Sequence, residues 1–403
     1  MKNRILFAFC LPTLLFAQTA DMVSLGAGYT NESYYSFENG DEANVNNYNW
    51  DLAFEIDTYG AAVRLNRKNC TLWLYPGSIA DWNTLDTTGM AATWEQYING
   101  YEAWEQGAFN MPADPADGFD LGWGDYNSVT HVISGSKIFV IQLSDDTYRK
   151  IIIDNLSGGA FNFTYDQLDN SNEVVESITK ATYTGKNFVY YDLASSTIID
   201  REPASNAWDV VFTNYVLELA PGYFSGTTGA LHNIGATTSQ VDGVPTSSST
   251  YGSFEEEINT IGYDWKTFDM GTFTYTMVAD LSYFVLTAEG DVWKLVFTDF
   301  EGSSNGNIHF TKEKVESAGI ATYEGANISV YPNPANAILT ISTTQELQNL
   351  SIVDLSGQIV KEINAIGFSS TQVSTADLKN GAYFIQTLDA FNRKGTQKIV
   401  IQH

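Results

Sequence analysis

The stretch YNWDLAF at 48–54 returns almost unchanged as NAWDVVF at 206–212. In both copies a Trp-Asp pair opens a run of alternating bulky residues, which is typical of a strand with one buried face. The repetition predicts two copies of one strand-rich module, in which Trp50 and Trp208 anchor the two cores. The Asp beside each Trp is expected to accept hydrogen bonds from backbone donors in its own neighbourhood.

Four further pairs of segments match between the two copies, and they occur in the same order in each copy. They join 33–45 to 187–199, 138–154 to 283–299, 159–164 to 306–311, and 175–185 to 315–325, and seven of the eleven residues in the last pair are identical. The matched segments read as short strands and hairpins with polar turns. The sequence therefore predicts a mainly β fold with two tandem antiparallel modules, at 18–180 and 181–320.

The N-terminus has the features of a secretory signal peptide. Lys2 and Arg4 precede the apolar run 5–16, and the small residue Ala17 follows it. This pattern predicts a signal peptide at 1–17, cut between Ala17 and Gln18. No later stretch is apolar for long enough to suggest a transmembrane segment.

Charge and cysteine content restrict the possible partners. The chain has 20 Lys and Arg against 48 Asp and Glu, a formal net charge of −28. Such a surface repels nucleic acid and anionic lipid, so a neutral, cationic or metal-bearing partner is expected. Cys70 is the single cysteine beyond the expected signal peptide, so no intrachain disulfide is predicted, and Cys70 is expected to be a small buried residue.

The last 77 residues, 327–403, form a separate segment with balanced charge and short alternating strands, which predicts a small immunoglobulin-like β-sandwich. The ordered set YPNP at 331–334, VDLSG at 353–357, LKNGAY at 378–383 and a basic terminal strand resembles the type IX secretion C-terminal sorting domain, type A. The resemblance implies that the secretion machinery reads this domain and exports the protein across the outer membrane of a Gram-negative bacterium. The protein would then be secreted or held at the cell surface.

The modules also resemble a known family. An aromatic strand ending in a polar turn, the WDLAF run, VRLN at 63–66 and the closing hairpin at 283–302 are similar to the HmuY family of secreted haem-binding proteins. The resemblance implies all-β modules in which haem is held between loop-bearing strands. Haem is therefore the leading expected cofactor.

In this family one axial ligand lies a few residues after a Trp. The stretch WKTFDMG at 265–271 places Met270 at the matching position, so the resemblance implies Met270 as ligand with Trp265 and Phe268 as pocket walls. In the first module Ser128 stands at that position, and a hydroxyl is a poor haem ligand. The second axial ligand remains open among Met111, Met277 and His232. A methionine can equally be a gap-filling core residue.

The first module contains an insert rich in tryptophan. Its section at 88–107 carries aromatic residues three and four positions apart, which predicts a short amphipathic helix interrupted by Gly100. Trp94, Trp104 and Trp123 could form a stacking platform for a sugar ring or a porphyrin. The alternative is an aromatic face that packs on the sheet.

Motifs for catalysis are missing from the sequence: it holds no G-x-S-x-G, H-E-x-x-H, phosphate-binding loop or C-x-x-C. A glycosidase pair of carboxylates is not readable from spacing alone. With four histidines in the chain, no metal site is expected either. The prediction is a secreted or surface binding protein rather than an enzyme, with haem as ligand. The alternative is adhesion or carbohydrate binding through the Trp-rich insert.

Overall fold

A computed structural model of the chain describes residues 18–316, 328–343, 347–354, 358–363, 370–389 and 394–403. The chain divides into two compact units, Met1–Glu316 and Ser317–His403, and each is described by itself. Strands make up 49% of the structure and helices 5%, which confirms the predicted mainly β class. Within the described part, no helix has both the length and the apolar character needed to cross a membrane.

The first unit is built from short strands. They are β1 (Thr19–Ser24), β2 (Asn31–Ser36), β3 (Gly40–Asn46), β4 (Leu52–Glu55), β5 (Val63–Leu65), β6 (Thr71–Leu74), β7 (Gln96–Tyr97), β8 (Gly124–Asn127), β9 (Val132–Gly135), β10 (Phe139–Gln142), β11 (Tyr148–Ser157), β12 (Ala160–Asp166), β13 (Val174–Thr179), β14 (Phe188–Asp192), β15 (Thr197–Ile199), β16 (Val210–Ala220), β17 (Tyr223–His232), β18 (Thr237–Asp242), β19 (Lys266–Asp269), β20 (Thr274–Met277), β21 (Leu281–Leu286), β22 (Val292–Phe300) and β23 (Asn307–Glu316). The described helices are α1 (Met90–Thr93) and the 3-10 turns Ala27–Tyr29, Ile79–Asp81, Lys180–Tyr183 and Gly302–Ser304.

These strands pair antiparallel in four larger sheets and one hairpin. The sheet orders are β1-β23-β22-β21-β18, β13-β12-β11-β10-β6-β7, β15-β14-β4-β5 and β17-β16-β2-β3. Strands β8 and β9 extend the second sheet, and β19 pairs with β20 alone. Predicted hairpins therefore form as expected, but their partners in the sheets do not follow the order of the sequence.

The two sequence repeats exchange their first segments. Hairpin β2–β3 of the first repeat pairs through β2 with β16 of the second, and hairpin β14–β15 of the second pairs through β14 with β4 of the first. Strand β1 of the first repeat likewise pairs with β23 of the second, whereas β13 pairs with β12 of its own repeat. The first body therefore runs from β4 to β15, and the second body combines β1–β3 with β16–β23. The expected boundary between residues 180 and 181 lies inside the first body, so sequence repeats and packed bodies do not coincide.

The Asp of each Trp-Asp pair fastens an exchanged hairpin. The backbone N–H of Leu193 donates to Asp51 Oδ2 at 2.9 Å, and that of Phe37 donates to Asp209 Oδ2 at 2.7 Å. The donors are 142 and 172 residues away in sequence. The expectation of backbone donors was right in kind, but the donors belong to the other repeat rather than to the local chain. Asp51 Oδ1 additionally accepts from the buried thiol of Cys70 at 3.1 Å.

Each body has its own apolar core. The core of the first body contains Leu52, Phe54, Leu72, Trp123, Phe139, Ile151, Phe161, Phe163, Val189 and Tyr191. The core of the second body contains Val23, Leu25, Tyr35, Phe37, Val210, Phe212, Trp265, Tyr283, Phe297 and Phe310. Residues from the exchanged segments belong to both cores, so each body depends on apolar surface supplied by the other repeat.

Trp50 and Trp208 belong to neither of these cores. Trp208 is buried with Tyr34, Tyr101 and Tyr215, while Trp50 is half-buried against Tyr190. Both indoles therefore lie where the two bodies meet. The expectation that each Trp anchors the core of its own module was wrong, because the opposite faces of β4 and β16 form those cores.

The insert does not form the expected helix across 88–107. Only α1 is helical there, and β7 follows it directly. The side chain of Asn99 satisfies backbone groups that regular structure would otherwise pair. Its Oδ1 accepts hydrogen bonds from the backbone N–H groups of Leu65 and Ala108. These contacts hold the chain in an irregular path against the edge of the first body.

The second unit consists of β24 (Ile328–Tyr331), β25 (Ile338–Thr343), β26 (Leu347–Val353), β27 (Ile359–Ile363), β28 (Ser370–Ser374), β29 (Gly381–Asp389) and β30 (Lys394–Ile401). Two sheets form, ordered β24-β25-β28 and β27-β26-β29-β30. Leu339, Ile341, Leu350, Ile352, Ile385 and Ile399 share one core between them. The predicted small β-sandwich is therefore present.

Candidate functional site

A small, partly open cavity, here called the junction slot, lies between the two bodies of the first unit. Its free volume is about 70 Å³. The lining side chains include Glu32, Tyr34, Asn47, Trp50, Arg64, Asn66, Arg67, Lys68, Tyr101, Trp104, Tyr190, Glu202, Trp208, Thr213 and Asn214. This volume accommodates a few water molecules or one small polar group.

The hairpin exchange brings equivalent residues of the two repeats together in the slot. Tyr34 in β2 and Tyr190 in β14 each stand three residues before the backbone donor to the Asp of a Trp-Asp pair, and their hydroxyl oxygens are 2.9 Å apart. Trp208 packs edge-on against Tyr34, with ring centroids 5.0 Å apart, and Trp50 packs edge-on against Tyr190 at 4.9 Å. The centre of the slot therefore has local two-fold pseudosymmetry.

Two buried carboxyl groups are bound to this tyrosine pair. Glu32 accepts from the hydroxyl of Tyr34 at 3.1 Å and forms an ion pair with Arg201. Glu202 accepts from the backbone N–H of Asn187 at 2.9 Å and from the hydroxyl of Tyr190 at 3.1 Å. Burial raises the pKa of Glu202 to about 8, which keeps this carboxyl group protonated at neutral pH. The ion pair of the slot is thus formed by Glu32 and Arg201.

Three further cations line the slot, and their hydrogen bonds go to carbonyl oxygens. Arg64 donates to the carbonyl of Trp104 at 2.7 Å, Arg67 to that of Cys70 at 3.2 Å, and Lys68 to that of Tyr29 at 2.7 Å. Burial lowers the pKa of Lys68 to about 8 and also lowers the pKa of Arg64. In a chain with a net charge of −28, the slot is therefore a local concentration of positive charge.

Aromatic rings surround the most buried of these cations. The guanidinium carbon of Arg64 lies 5.5 Å from the ring centroid of Tyr101 and 5.1 Å from that of Trp104. These distances are in the range of cation–π contacts, which compensate part of the cost of burying the charge. The indole Nε1 of Trp104 in turn donates to the carbonyl of His232 at 3.0 Å, so the insert is tied to the second body.

Some polar groups at the slot have no partner. The indole Nε1 of Trp208 and the Nε of Arg67 are buried, and neither has a hydrogen-bond partner within the described ranges. Both groups are donors. Buried donors are normally satisfied by protein, water or ligand, so these two groups are exceptions among the residues that line the cavity.

The residues that the HmuY resemblance implied do not come together. Met270 lies at the tip of hairpin β19–β20 and is 72% exposed, and Phe268 in the same hairpin is also exposed. Trp265 instead belongs to the core of the second body, where its ring stacks on Phe297 at 3.9 Å. Trp265 therefore does not form a pocket wall beside Met270.

The other implied haem ligands are also apart from one another. His232 is buried, its ring nitrogens lie near the hydroxyl of Thr238 and the carbonyl of Glu256, and burial lowers its pKa to about 4. Met277 is partly buried against the core of the second body, and Met111 is exposed. No group of three or more His, Cys, Asp or Glu in the described part of the chain has the arrangement of a metal site.

The three tryptophans of the suggested stacking platform lie in three different places. Trp123 is fully buried in the core of the first body, and Trp94 packs against Tyr75 at 5.2 Å. Trp104 alone lines the slot. The common platform for a ring is therefore not formed, and the alternative of packing on the sheet describes Trp123 and Trp94.

The signal-cleavage prediction is at the edge of the described chain. Ala17 lies outside the described residues, whereas the side-chain amide of Gln18 donates to Thr311 Oγ1 at 2.6 Å. Cleavage between them stays a prediction.

Sequence reasoning missed the residues at the centre of the slot, especially Tyr34, Tyr190, Arg64 and Glu202. A signal for two of them was present, because the matched segments 33–45 and 187–199 each contain a Tyr-Tyr pair, at 34–35 and 190–191, although end-to-end alignment of the segments places Tyr34 opposite Phe188. Nothing in the pattern indicated that these segments change places between the repeats.

Comparison with known proteins identifies the tail. Residues 329–402 match the family described as secretion system C-terminal sorting domain, which makes this segment a type IX sorting domain. None of the curated proteins compared with the chain matches it. A solved polysaccharide lyase aligns with 97% of this chain and 47% of its own length, at 9% identity and a TM-score of 0.16. The chain thus spans about half of that protein, and a TM-score this low does not indicate a common fold.

Proposed function

We propose that this is a non-catalytic ligand-binding protein, exported by type IX secretion and released or kept at the cell surface, with the junction slot as its ligand site. The observation that carries the proposal is the buried Arg64 beside Trp104, bonded to carbonyl oxygens in a cavity with unsatisfied donors. Binding sites of this kind combine aromatic walls with a few convergent polar groups. The sequence contains none of the catalytic motifs named above, which favours binding over catalysis.

The export part of the proposal rests on the sorting domain at 329–402. Its finer details, a type A domain and a cleaved signal peptide at 1–17, belong to the proposal. Deleting 327–403 should hold the protein in the periplasm. The measurement is surface labelling and cell fractionation of wild-type and truncated protein. Surface labelling of the truncated protein at the wild-type level would contradict this route.

The binding part is tested with the full mature chain in a thermal-shift panel of neutral sugars, sugar acids and amino sugars. A ligand of the slot should raise the unfolding midpoint by mass action. The increase should be smaller in Arg67→Gln, since this half-buried side chain lines the slot. Midpoints unchanged by every ligand, or an increase that Arg67→Gln leaves intact, would contradict the slot as the ligand site.

Haem is the second candidate ligand, and one observation favours it. The tip of hairpin β19–β20 presents the thioether of Met270 together with the exposed rings of Phe268 and Phe273. A thioether is a competent axial ligand, and the two rings could contact a porphyrin face. An absorbance titration of the full mature chain with haem tests this candidate. Met270→Ala should weaken binding and change the Soret band, whereas Ser128→Ala should not.

A further inference from the structure

We propose that the junction slot binds a carboxylate group, and that the ligand of this protein is therefore an organic acid. This inference rests on the proposed function, because it names the chemical class that the slot selects. It goes beyond that function in assigning the positive charge of the slot a specific counterpart.

Arg64 carries the most buried positive charge of the slot. Arg64 is 5% exposed, and its guanidinium donates to the carbonyl oxygens of Gly100 and Trp104, at 3.2 Å and 2.7 Å. No ion pair joins Arg64, Arg67 or Lys68 to a carboxylate in the described part of the chain. A buried charge is stable only when an opposite charge or several strong hydrogen bonds compensate it. An anion in the slot would add an opposite charge to the carbonyl hydrogen bonds and ring contacts that Arg64 already makes.

The two acids of the slot, Glu32 and Glu202, do not provide an opposite charge for Arg64, Arg67 or Lys68. Glu32 is already paired with Arg201. Glu202 receives hydrogen bonds from backbone N–H groups and from Tyr190, and its burial favours the protonated form. The lining therefore keeps an excess of positive charge at neutral pH.

Two residues of the slot have a buried donor without a hydrogen-bond partner in the described ranges. Trp208 is 4% exposed and lines the slot, yet its Nε1 has no acceptor within the described ranges. The Nε of Arg67 is likewise buried without an acceptor. Both residues line the slot, and an ionised carboxylate, which only accepts hydrogen bonds, suits a lining rich in donors.

The size of the slot and its access to solvent also favour a small anionic group. The free volume of about 70 Å³ is that of a small group rather than a whole metabolite. Among the lining residues, those that are partly exposed are Trp50, Arg67, Lys68 and Trp104. Two of these four are cations, so an anionic group meets favourable charge where the slot reaches the surface. A planar carboxylate also fits the fork of donors on a guanidinium.

The experiment uses the full mature chain labelled with nitrogen-15 and follows the indole N–H signals by NMR. The signal of Trp208 is identified by its loss in Trp208→Phe. Acetate, glucuronate and glucose are titrated at constant ionic strength, set with sodium chloride. Acetate represents a free small acid and glucuronate an acid carried by a sugar ring, whereas glucose lacks the charge.

We expect acetate, glucuronate or both to shift the Trp208 signal in a saturable manner, and glucose to leave it unchanged. Saturation by acetate identifies the carboxylate alone as sufficient, and much tighter binding of glucuronate identifies a sugar acid. Absence of a saturable shift with both acids overturns the inference. A shift with glucose equal to that with glucuronate also overturns it, while leaving the slot as a ligand site.

Variants separate local binding from general charge attraction. Arg67→Gln and Lys68→Met should each raise the dissociation constant about 10-fold, the usual effect of losing one charge-assisted hydrogen bond. Arg149→Gln is the matched control, because Arg149 bonds only within its own hairpin, to Thr147 and Tyr148. Equal weakening by Arg149→Gln overturns the inference. The wild-type titration decides the question if either slot variant fails to fold.

Discussion

The hydroxyl groups of Tyr34 and Tyr190 are in hydrogen-bond contact at 2.9 Å, although 156 residues separate them in the sequence. They are equivalent positions of a duplicated hairpin, and each hairpin is paired into the sheet of the other repeat. The contact is therefore a consequence of the reciprocal exchange of hairpins between the repeats, on which both bodies depend. Neither repeat, taken as a continuous piece of sequence, contains all the strands of one body.

The exchange predicts that the first unit unfolds in one transition. Trp208→Ala should lower the free energy of unfolding by roughly 3–5 kcal/mol, the usual cost of truncating a buried aromatic residue. Trp50→Ala should cost less, because Trp50 is only half-buried. Scanning calorimetry of both variants provides the measurement. Two separate transitions, each moved by one variant only, would show that the bodies unfold independently.

The carboxylate of Asp209 fastens the first hairpin to the second body through the backbone N–H of Phe37. Asp209→Ala leaves this donor without an acceptor and should lower the free energy of unfolding by about 1–3 kcal/mol. Urea unfolding followed by tryptophan fluorescence measures the difference. Asp169→Ala is the control, because this carboxylate is exposed and bonds only to Ser171. Equal losses in the two variants would refute a fastening role for Asp209.

Glu202 predicts an unusual dependence of stability on pH. Burial raises its pKa in the folded protein to about 8, from a reference value of 4.5. The folded state then holds a proton that the unfolded state releases, so this contribution to stability is complete below about pH 4.5 and is lost as the pH rises through about 8. Between these limits its slope approaches about −1.4 kcal/mol per pH unit.

The neutral variant Glu202→Gln should flatten the curve of unfolding free energy against pH between about 5 and 8. Urea unfolding at a series of pH values provides the measurement, with wild type and variant compared in the same buffers. A slope unchanged by the substitution would assign the pH dependence to other groups. Asp209, whose burial raises its pKa to about 6, is the first of these to examine.

Two equivalent glycines allow a matched test of the closure between β1 and β23. Gly159 and Gly306 start the matched segments 159–164 and 306–311 and have φ values of +75° and +72°. A Cβ at Gly159 would meet nothing within 4 Å, whereas one at Gly306 would lie 2.2 Å from the carbonyl oxygen of Gly26.

Gly159→Ala should therefore cost about 1–2 kcal/mol, from the left-handed backbone alone. Gly306→Ala should cost more, since the segment that follows β1 must also move. Thermal or urea unfolding of the two variants measures the difference. Equal losses of unfolding free energy in the two variants would mean that the backbone at Gly26 moves aside without a cost in stability.

Local pattern predicted much of this structure. The alternation in the Trp-Asp stretches and the Asp- and Gly-containing turns gave strands β4 and β16 and the closing hairpins, because side-chain period and turn chemistry act over a few residues. The tail was predicted for the same reason, together with its ordered motifs. Its match over 329–402 confirms the sorting domain.

The rest depended on long-range pairing, which a single sequence does not encode in any local period. Whether β2 pairs with the strand beside it or with its duplicate is a choice between nearly identical partners, since 48–54 and 206–212 carry the same pattern. The junction slot exists only through that choice. Arg64 was visible in the VRLN run, but its burial between Tyr101 and Trp104 was not.

The pairing of β1 with β23 fixes the order in which an emerging chain can be completed. When the N-terminus leaves a translocation channel first, β1 has no partner until β23 follows and hairpin β2–β3 has no sheet to join until β16 follows, whereas the first body is complete once β15 has emerged. The second body therefore closes last, and its final strand ends at Glu316, directly before the unit that carries the sorting domain. In this order of emergence, the sorting domain leaves the channel only after β23, the strand that completes the second body.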